Sequence, residues 1–132
     1  MGIIASSTAK STTEEWKGEI TSGQHQMLTD EPESLGGQDA GPPPYGFITA
    51  GLASCTLITL RMYAKHKGYE VGEFSIEAQF HANKEGKEWI ERRIHFATPP
   101  SDEIQQKLLE ISAKTPVTKT LLRSLEIHTV IV

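Results

Sequence analysis

One thiol, five imidazoles and a strand arginine are the groups in this chain with the potential for specific chemistry. Cys55 is the only cysteine among 132 residues. It can form no internal disulfide, and nothing in the cysteine count implies an oxidising compartment. As a thiolate it would be a nucleophile or metal ligand; as a thiol in an apolar helix it is a small hydrophobe. It stands in GFITAGLASCTLITLRMYAKHKG, directly after Pro42-Pro43-Pro44-Tyr45, and on the residues alone the second reading is favoured. His25, His66, His81, His95 and His128 are scattered singly, without ligand-like spacing, so no metal site is expected. Arg92 shares a strand face with Ile90, Ile94 and Phe96 and should point inward. There it would need a carboxylate partner; it is either a site residue or a member of a structural ion pair, and the ion pair is favoured. Glu31 and Asp39 read as loop caps or solvated charges.

The elements that must position these groups follow from periodicity and turn chemistry. Residues 1–12 are small and polar and are expected to fray. Residues 16–21 and 24–29 read as two strands joined at Ser22-Gly23. The loop DEPESLGGQDAGPPP is long and dense in Gly and Pro, the kind of loop that tends to be functional. The three prolines introduce a helix to about Lys67, with Gly68 as its stop. Its first half is apolar nearly all round, which requires burial on every side. One small chain can cover only part of it; Ala50, Gly51, Ala53 and Ser54 would let a second copy approach, so a homodimer is expected. Phe74, Ile76, Ala78 and Phe80 alternate with polar residues in a strand at 71–82, and a turn at 84–87 leads into a second strand at 89–97. Ser101 caps a helix to about Ala113, Thr115-Pro116 open a shorter one to Arg123, and residues 125–132 read as a last strand. Antiparallel strands with helices on one face give α+β.

Size and charge bound the function. The length suits one domain over 1–132, and 37% apolar with 23% charged residues fits a globular chain. A net charge of −4, with 13 basic residues and no basic block, argues against nucleic acid as a partner. The N-terminus lacks the basic start of a secretory signal; Gly2 and Ser6 fit a myristoylation pattern that is common by chance. The apolar run at 47–60 reads as too short to span a bilayer. No membrane partner is expected, and the expected setting is cytoplasmic.

The stretch DEPESLGGQDAGPPPYGFITAGLASCTLITLRMYAKHKGY resembles the signature region of the OsmC/Ohr family (osmotically inducible protein C and organic hydroperoxide resistance protein). ISAKTPVTKTLL is similar to that family's second cysteine segment, where a Cys-Pro-Val run is usual. The resemblance runs from about residue 16 to 132. It implies an OsmC-like α+β fold, with antiparallel sheets packed around a long buried central helix in an intertwined homodimer. Each of two sites would lie at the subunit interface, with no metal or organic cofactor. In active members the helix cysteine attacks an organic hydroperoxide, and a second cysteine resolves the resulting sulfenic acid for an external dithiol to reduce.

Two positions depart from that pattern. Tyr45, followed by Gly46, stands where active members carry a Glu that orients a catalytic Arg, and Thr115 stands at the resolving cysteine. No Arg matches the catalytic one; His25 is the nearest polar candidate in the corresponding strand region, although a strand histidine is commonly an ordinary surface residue. Tyr45 could equally pack over the helix start. The expected function is a one-cysteine, thiol-dependent hydroperoxide reductase. Cys55 is its catalytic residue, Tyr45, Thr115 and His25 are site-lining candidates, a small hydroperoxide is the substrate and an external thiol the reductant. The alternative is a non-catalytic member that binds a hydrophobic ligand or senses redox state.

Overall fold

The computed structural model describes residues 2–132. Its elements run β1 (Ser7–Ser11), β2 (Gly18–Ser22), β3 (His25–Thr29), α1 (Pro44–Lys67), β4 (Phe74–Ala82), β5 (Glu88–Phe96), α2 (Asp102–Ser112) and α3 (Pro116–Leu122). The chain falls into two compact units, one up to Ile48 and one from Thr49 onward. The architecture is the α+β class expected, with two antiparallel sheets.

In the first unit, β1, β2 and β3 form an antiparallel meander in that spatial order, with Thr8 opposite Thr21 and Glu19 opposite Leu28. Residues 7–11 therefore do not fray as expected; their backbone pairs with β2, which compensates for a sequence with no apolar face to bury. The glycine-rich loop after β3 is built on one carboxylate. Asp30 is 3% exposed. Its Oδ1 accepts the Glu31 N–H at 2.8 Å, and its Oδ2 accepts the N–H groups of Gln38 at 3.0 Å and Ala40 at 3.2 Å. Burial acts to raise its pKa, but these three donors, with the charge of Lys17, outweigh burial and hold the carboxyl below its ordinary value. The glycines are required by the close approach that results. A Cβ on Gly37 would overlap the Glu31 carbonyl oxygen, and one on Gly41 would overlap the carbonyl oxygen of Leu28. Thr29 Oγ1 donates to the Pro42 carbonyl at 2.8 Å and fixes the entry to α1.

In the second unit, β4 and β5 pair with Ile76 opposite Ile94 and Ala78 opposite Arg92. Asn83 Oδ1 closes their turn by accepting the N–H groups of Glu85 and Lys87. The core joins Leu60 and Ala64 of α1, Val71 from the segment between α1 and β4, and Leu108 of α2, with Phe74, Ile76, Ile94, Phe96, Ile104 and Ile111 packed around them. Ser101 Oγ accepts the Ile104 N–H and caps α2, and Gly68, at φ 73, follows α1 as its stop. The buried residues of α1 are Leu52, Thr56, Leu60 and Ala64, one stripe at four-residue spacing. Leu57, Ile58 and Met62 remain exposed. By length and composition alone α1 could cross a bilayer, which the shorter run 47–60 did not suggest. Leu60 and Ala64 nonetheless place it as the core helix of a mixed unit.

The strand expected at 125–132 does not form. Those residues have no ladder partner among the described residues, and Leu125, Ile127 and Val130 are exposed. β-branched composition favours a strand only where a sheet edge receives it.

Asp30→Asn should lower the melting temperature by several degrees near neutral pH, because an amide cannot accept all three N–H groups without opposing one with its own. A carboxyl whose folded-state pKa is depressed stabilises the fold above its unfolded pKa and loses that contribution as pH falls through the folded value. The gap between wild type and variant should therefore close in acid, measured by circular dichroism melts across pH. A gap that is constant with pH would show that the charge contributes nothing. Gly37→Ala should cost about 1–3 kcal/mol by the same melts, since the loop backbone must shift to admit the methyl group.

Candidate functional site

Strand alternation sends two adjacent arginines to opposite faces of the β4–β5 hairpin. Arg93 lies outside, with its Nε 3.0 Å from Glu91 Oε1 and 3.9 Å from Glu77 Oε1. Arg92 lies inside, in the row with Ile90, Ile94 and Phe96, opposite the small side chain of Ala78. The inward placement matches expectation; the carboxylate partner does not. No acidic side chain pairs with Arg92 among the described residues. Its Nη1 donates to Thr56 Oγ1 at 3.0 Å and to Thr118 Oγ1 at 2.8 Å, and its Nη2 donates to the Ser112 carbonyl at 2.9 Å.

Each acceptor has a local cause. Thr56 takes a core position on the buried stripe of α1 and returns its own proton to the Leu52 carbonyl at 2.7 Å, leaving an oxygen lone pair for the guanidinium. Ser112 ends α2, and the last carbonyls of a helix lack intrahelical donors and carry partial negative charge. Thr118 lies in the first turns of α3. One guanidinium from β5 thus ties together α1, the end of α2 and α3. Placing an ion away from water costs several kcal/mol; three hydrogen bonds from a charged donor, at about 1.5–3 kcal/mol each, are of the same order. The cation therefore needs no carboxylate.

No carboxylate meets the charge of Arg92 among the described residues, and its acceptor Thr56 is the residue after Cys55 on α1. Burial pushes the Arg92 guanidinium below its ordinary pKa, and the charge of Cys55 acts in the opposite direction. Cys55 is partly buried in the middle of α1, next to Thr56, with its Sγ 3.9 Å from Thr59 Oγ1. The resulting arrangement places the thiol on the helix residue before Thr56, to which the inward cation donates.

Thr115 joins the same cluster. It is fully buried as N-cap of α3, but its hydroxyl makes no capping bond; it lies 2.6 Å from Thr118 Oγ1 instead. The cluster belongs wholly to the second unit. Tyr45 and His25 belong to the first: Tyr45 is exposed in the first turn of α1, ten residues or about 15 Å of helix rise before Cys55, and His25 is exposed at the start of β3. Thr56, Ser112 and Thr118 were not singled out by sequence. Two signals were present: a threonine at a core position of an apolar stripe, and a second threonine three residues after Thr115. Among the described residues no cluster of three His, Cys, Asp or Glu side chains could hold a metal ion.

A family model described as OsmC-like protein matches residues 36–130. No curated protein matches the chain by sequence. Among solved structures, the chain is similar to an OsmC-like protein from Mycoplasma pneumoniae, with a TM-score of 0.72 and 20% identity over 92% of this chain and 89% of that one. It is similar to an organic hydroperoxide resistance protein from Elizabethkingia anophelis, at 0.65 and 21% over 91% and 89%. A third is an organic hydroperoxide resistance protein of Bacillus subtilis, at 0.59 and 21% over 89% and 90%. At these identities the structures establish the fold, and the family model covers most of the chain. With its cysteine helix, paired antiparallel sheets and match over residues 36–130, this chain belongs to the OsmC-like protein family.

Proposed function

We propose that the protein is a one-cysteine, thiol-dependent hydroperoxide reductase centred on Cys55. The observation that carries this reading is the inward Arg92, bonded only to neutral acceptors, one of which is Thr56, the residue after Cys55. A thiolate is the reactive form of cysteine, and an adjacent cation favours it. The Cys55 sulfur attacks the terminal oxygen of an organic hydroperoxide; the S–O bond forms as the O–O bond breaks. Sulfur is oxidised by two electrons, and the alkoxide takes a proton and leaves as the alcohol. Arg92 can also stabilise the charge that moves onto the departing oxygen. An external thiol then condenses with the sulfenic acid, releasing water, and a second thiol frees Cys55 as an external disulfide forms. Thr115 cannot take the first of these thiol roles, which is why the reductant must come from outside the chain.

The same threonine supports a second reading, in which Cys55 lines a binding or redox-sensing site without turnover. Stopped-flow consumption of cumene hydroperoxide with dithiothreitol separates the two. Wild type should turn over and Cys55→Ser should not; equal background rates in both proteins would sink the reductase reading. Arg92→Met should slow peroxide consumption by about 10²–10³-fold, the usual loss when one electrostatic stabiliser is removed from a site, with Arg92→Lys intermediate. A dimedone adduct on Cys55 without turnover would favour the sensor.

We further propose that α1 pairs with its counterpart in a second copy, supported by the exposure of Leu57, Ile58 and Met62 on a helix that buries only one stripe. Sedimentation at micromolar concentration should show a dimer, and Ile58→Glu should shift it toward monomer. A wild-type monomer would remove this proposal.

A further inference from the structure

Arg92 has one partner whose own surroundings are unusual. Thr118 Oγ1 is within hydrogen-bond distance of Arg92 Nη1 at 2.8 Å, of Thr115 Oγ1 at 2.6 Å and of the Ser112 carbonyl at 3.3 Å. A hydroxyl has one proton and two lone pairs, and a guanidinium can only donate. The assignment that uses all three contacts is unique. Thr118 gives its proton to the Ser112 carbonyl, Thr115 gives its proton to Thr118, and the second lone pair of Thr118 receives Arg92. A hydroxyl that donates its own proton onward is a better acceptor, because chained hydrogen bonds polarise one another. Thr115 is fully buried, so no water competes for its proton.

We infer that Thr118, oriented by Thr115, is a positioning residue that holds the Arg92 guanidinium against α1 at Thr56, the residue after Cys55. The position that carries a second thiol in the resembling family thus serves here as the far end of a hydroxyl chain, whose near end fixes the cation. Thr56 holds the same Nη1 from the α1 side and is the residue next to Cys55, so the guanidinium is clamped between the cysteine helix and α3. Without the Thr118 oxygen, Nη1 keeps one acceptor and the guanidinium can swing about its remaining bonds to Thr56 and Ser112. The cation would then spend less time at Thr56, the position next to Cys55. This inference rests on the reading of Cys55 as a reactive thiol, but it concerns the thiol's activation and not the peroxide.

The test is the rate at which iodoacetamide alkylates Cys55 as a function of pH, followed by mass spectrometry on the full chain. Thr118→Val keeps the volume and removes the oxygen. It should react about threefold to tenfold more slowly at neutral pH and need a higher pH to reach the wild-type rate, since a cation fixed near a thiol favours its reactive form. Thr118→Ser restores the oxygen and should follow the wild-type profile. Thr115→Val should displace the profile in the same direction by a smaller amount. A Thr118→Val profile superimposed on wild type overturns the inference; so does a Thr118→Ser profile as displaced as that of Thr118→Val, which would assign the effect to packing of the methyl group. If Thr118→Val does not fold, the Thr118→Ser and Thr115→Val pair decides: an unchanged Thr115→Val profile overturns it. Wild-type failure to consume cumene hydroperoxide would remove the reductase reading while leaving these alkylation profiles to stand or fall separately.

Discussion

The second unit is tied together by a partly buried cation that is satisfied without an anion among the described residues. Arg92 comes from the middle of β5, and its hydrogen bonds end on α1, on the last carbonyl of α2 and on a hydroxyl of α3. Hydrophobic packing brings α1, α2 and the hairpin together around Leu60 and Leu108, but packing of that kind has no direction and tolerates small slides. Three hydrogen bonds from a planar, forked donor have direction, and they fix the register of the helices against one strand. A carboxylate in place of these neutral acceptors would hold Arg92 as firmly and cancel its charge. Neutral acceptors hold the group and leave the charge available.

How far this was legible in the sequence depends on which force decides each element. The β4–β5 hairpin was readable because period-two alternation is a local consequence of burial on one face, and that alternation also placed Arg92 inside. The helix boundaries were readable because Pro44, Gly68, Ser101 and Pro116 act on their own backbone. The partners of Arg92 were not, because hydroxyls and a helix-end carbonyl come to it from residues 20 to 36 positions away. A rule that buried charge needs opposite charge supplied the wrong partner; the correct one required knowing that α2 ends against the strand. The pairing of residues 7–11 and the lack of it at 125–132 have the same origin, since a strand exists only where another strand offers its edge.

Thr115 links a helix start to a polar cluster. The Thr-Pro pair still starts α3, yet the threonine side chain does not cap that helix. It turns toward Thr118 and so into the polar cluster around the guanidinium. A side chain of similar size with a hydroxyl fits the space and connects to the existing hydrogen-bond donors and acceptors, which a thiol does only weakly.

The loop organised by Asp30 has a consequence for how such proteins are recognised from sequence. Its most conspicuous letters, the acidic residue opening DEP, the paired glycines and the glycine before the prolines, are accounted for by a carboxylate gathering N–H groups and by backbones too close for a Cβ. Those letters describe how the chain enters the cysteine helix. They are indifferent to whether the cysteine at its centre is reduced by a neighbour, by a stranger, or not at all. A signature weighted toward that loop will gather chains that share an entrance while differing in their chemistry, and activity has to be judged from the few residues that surround the sulfur.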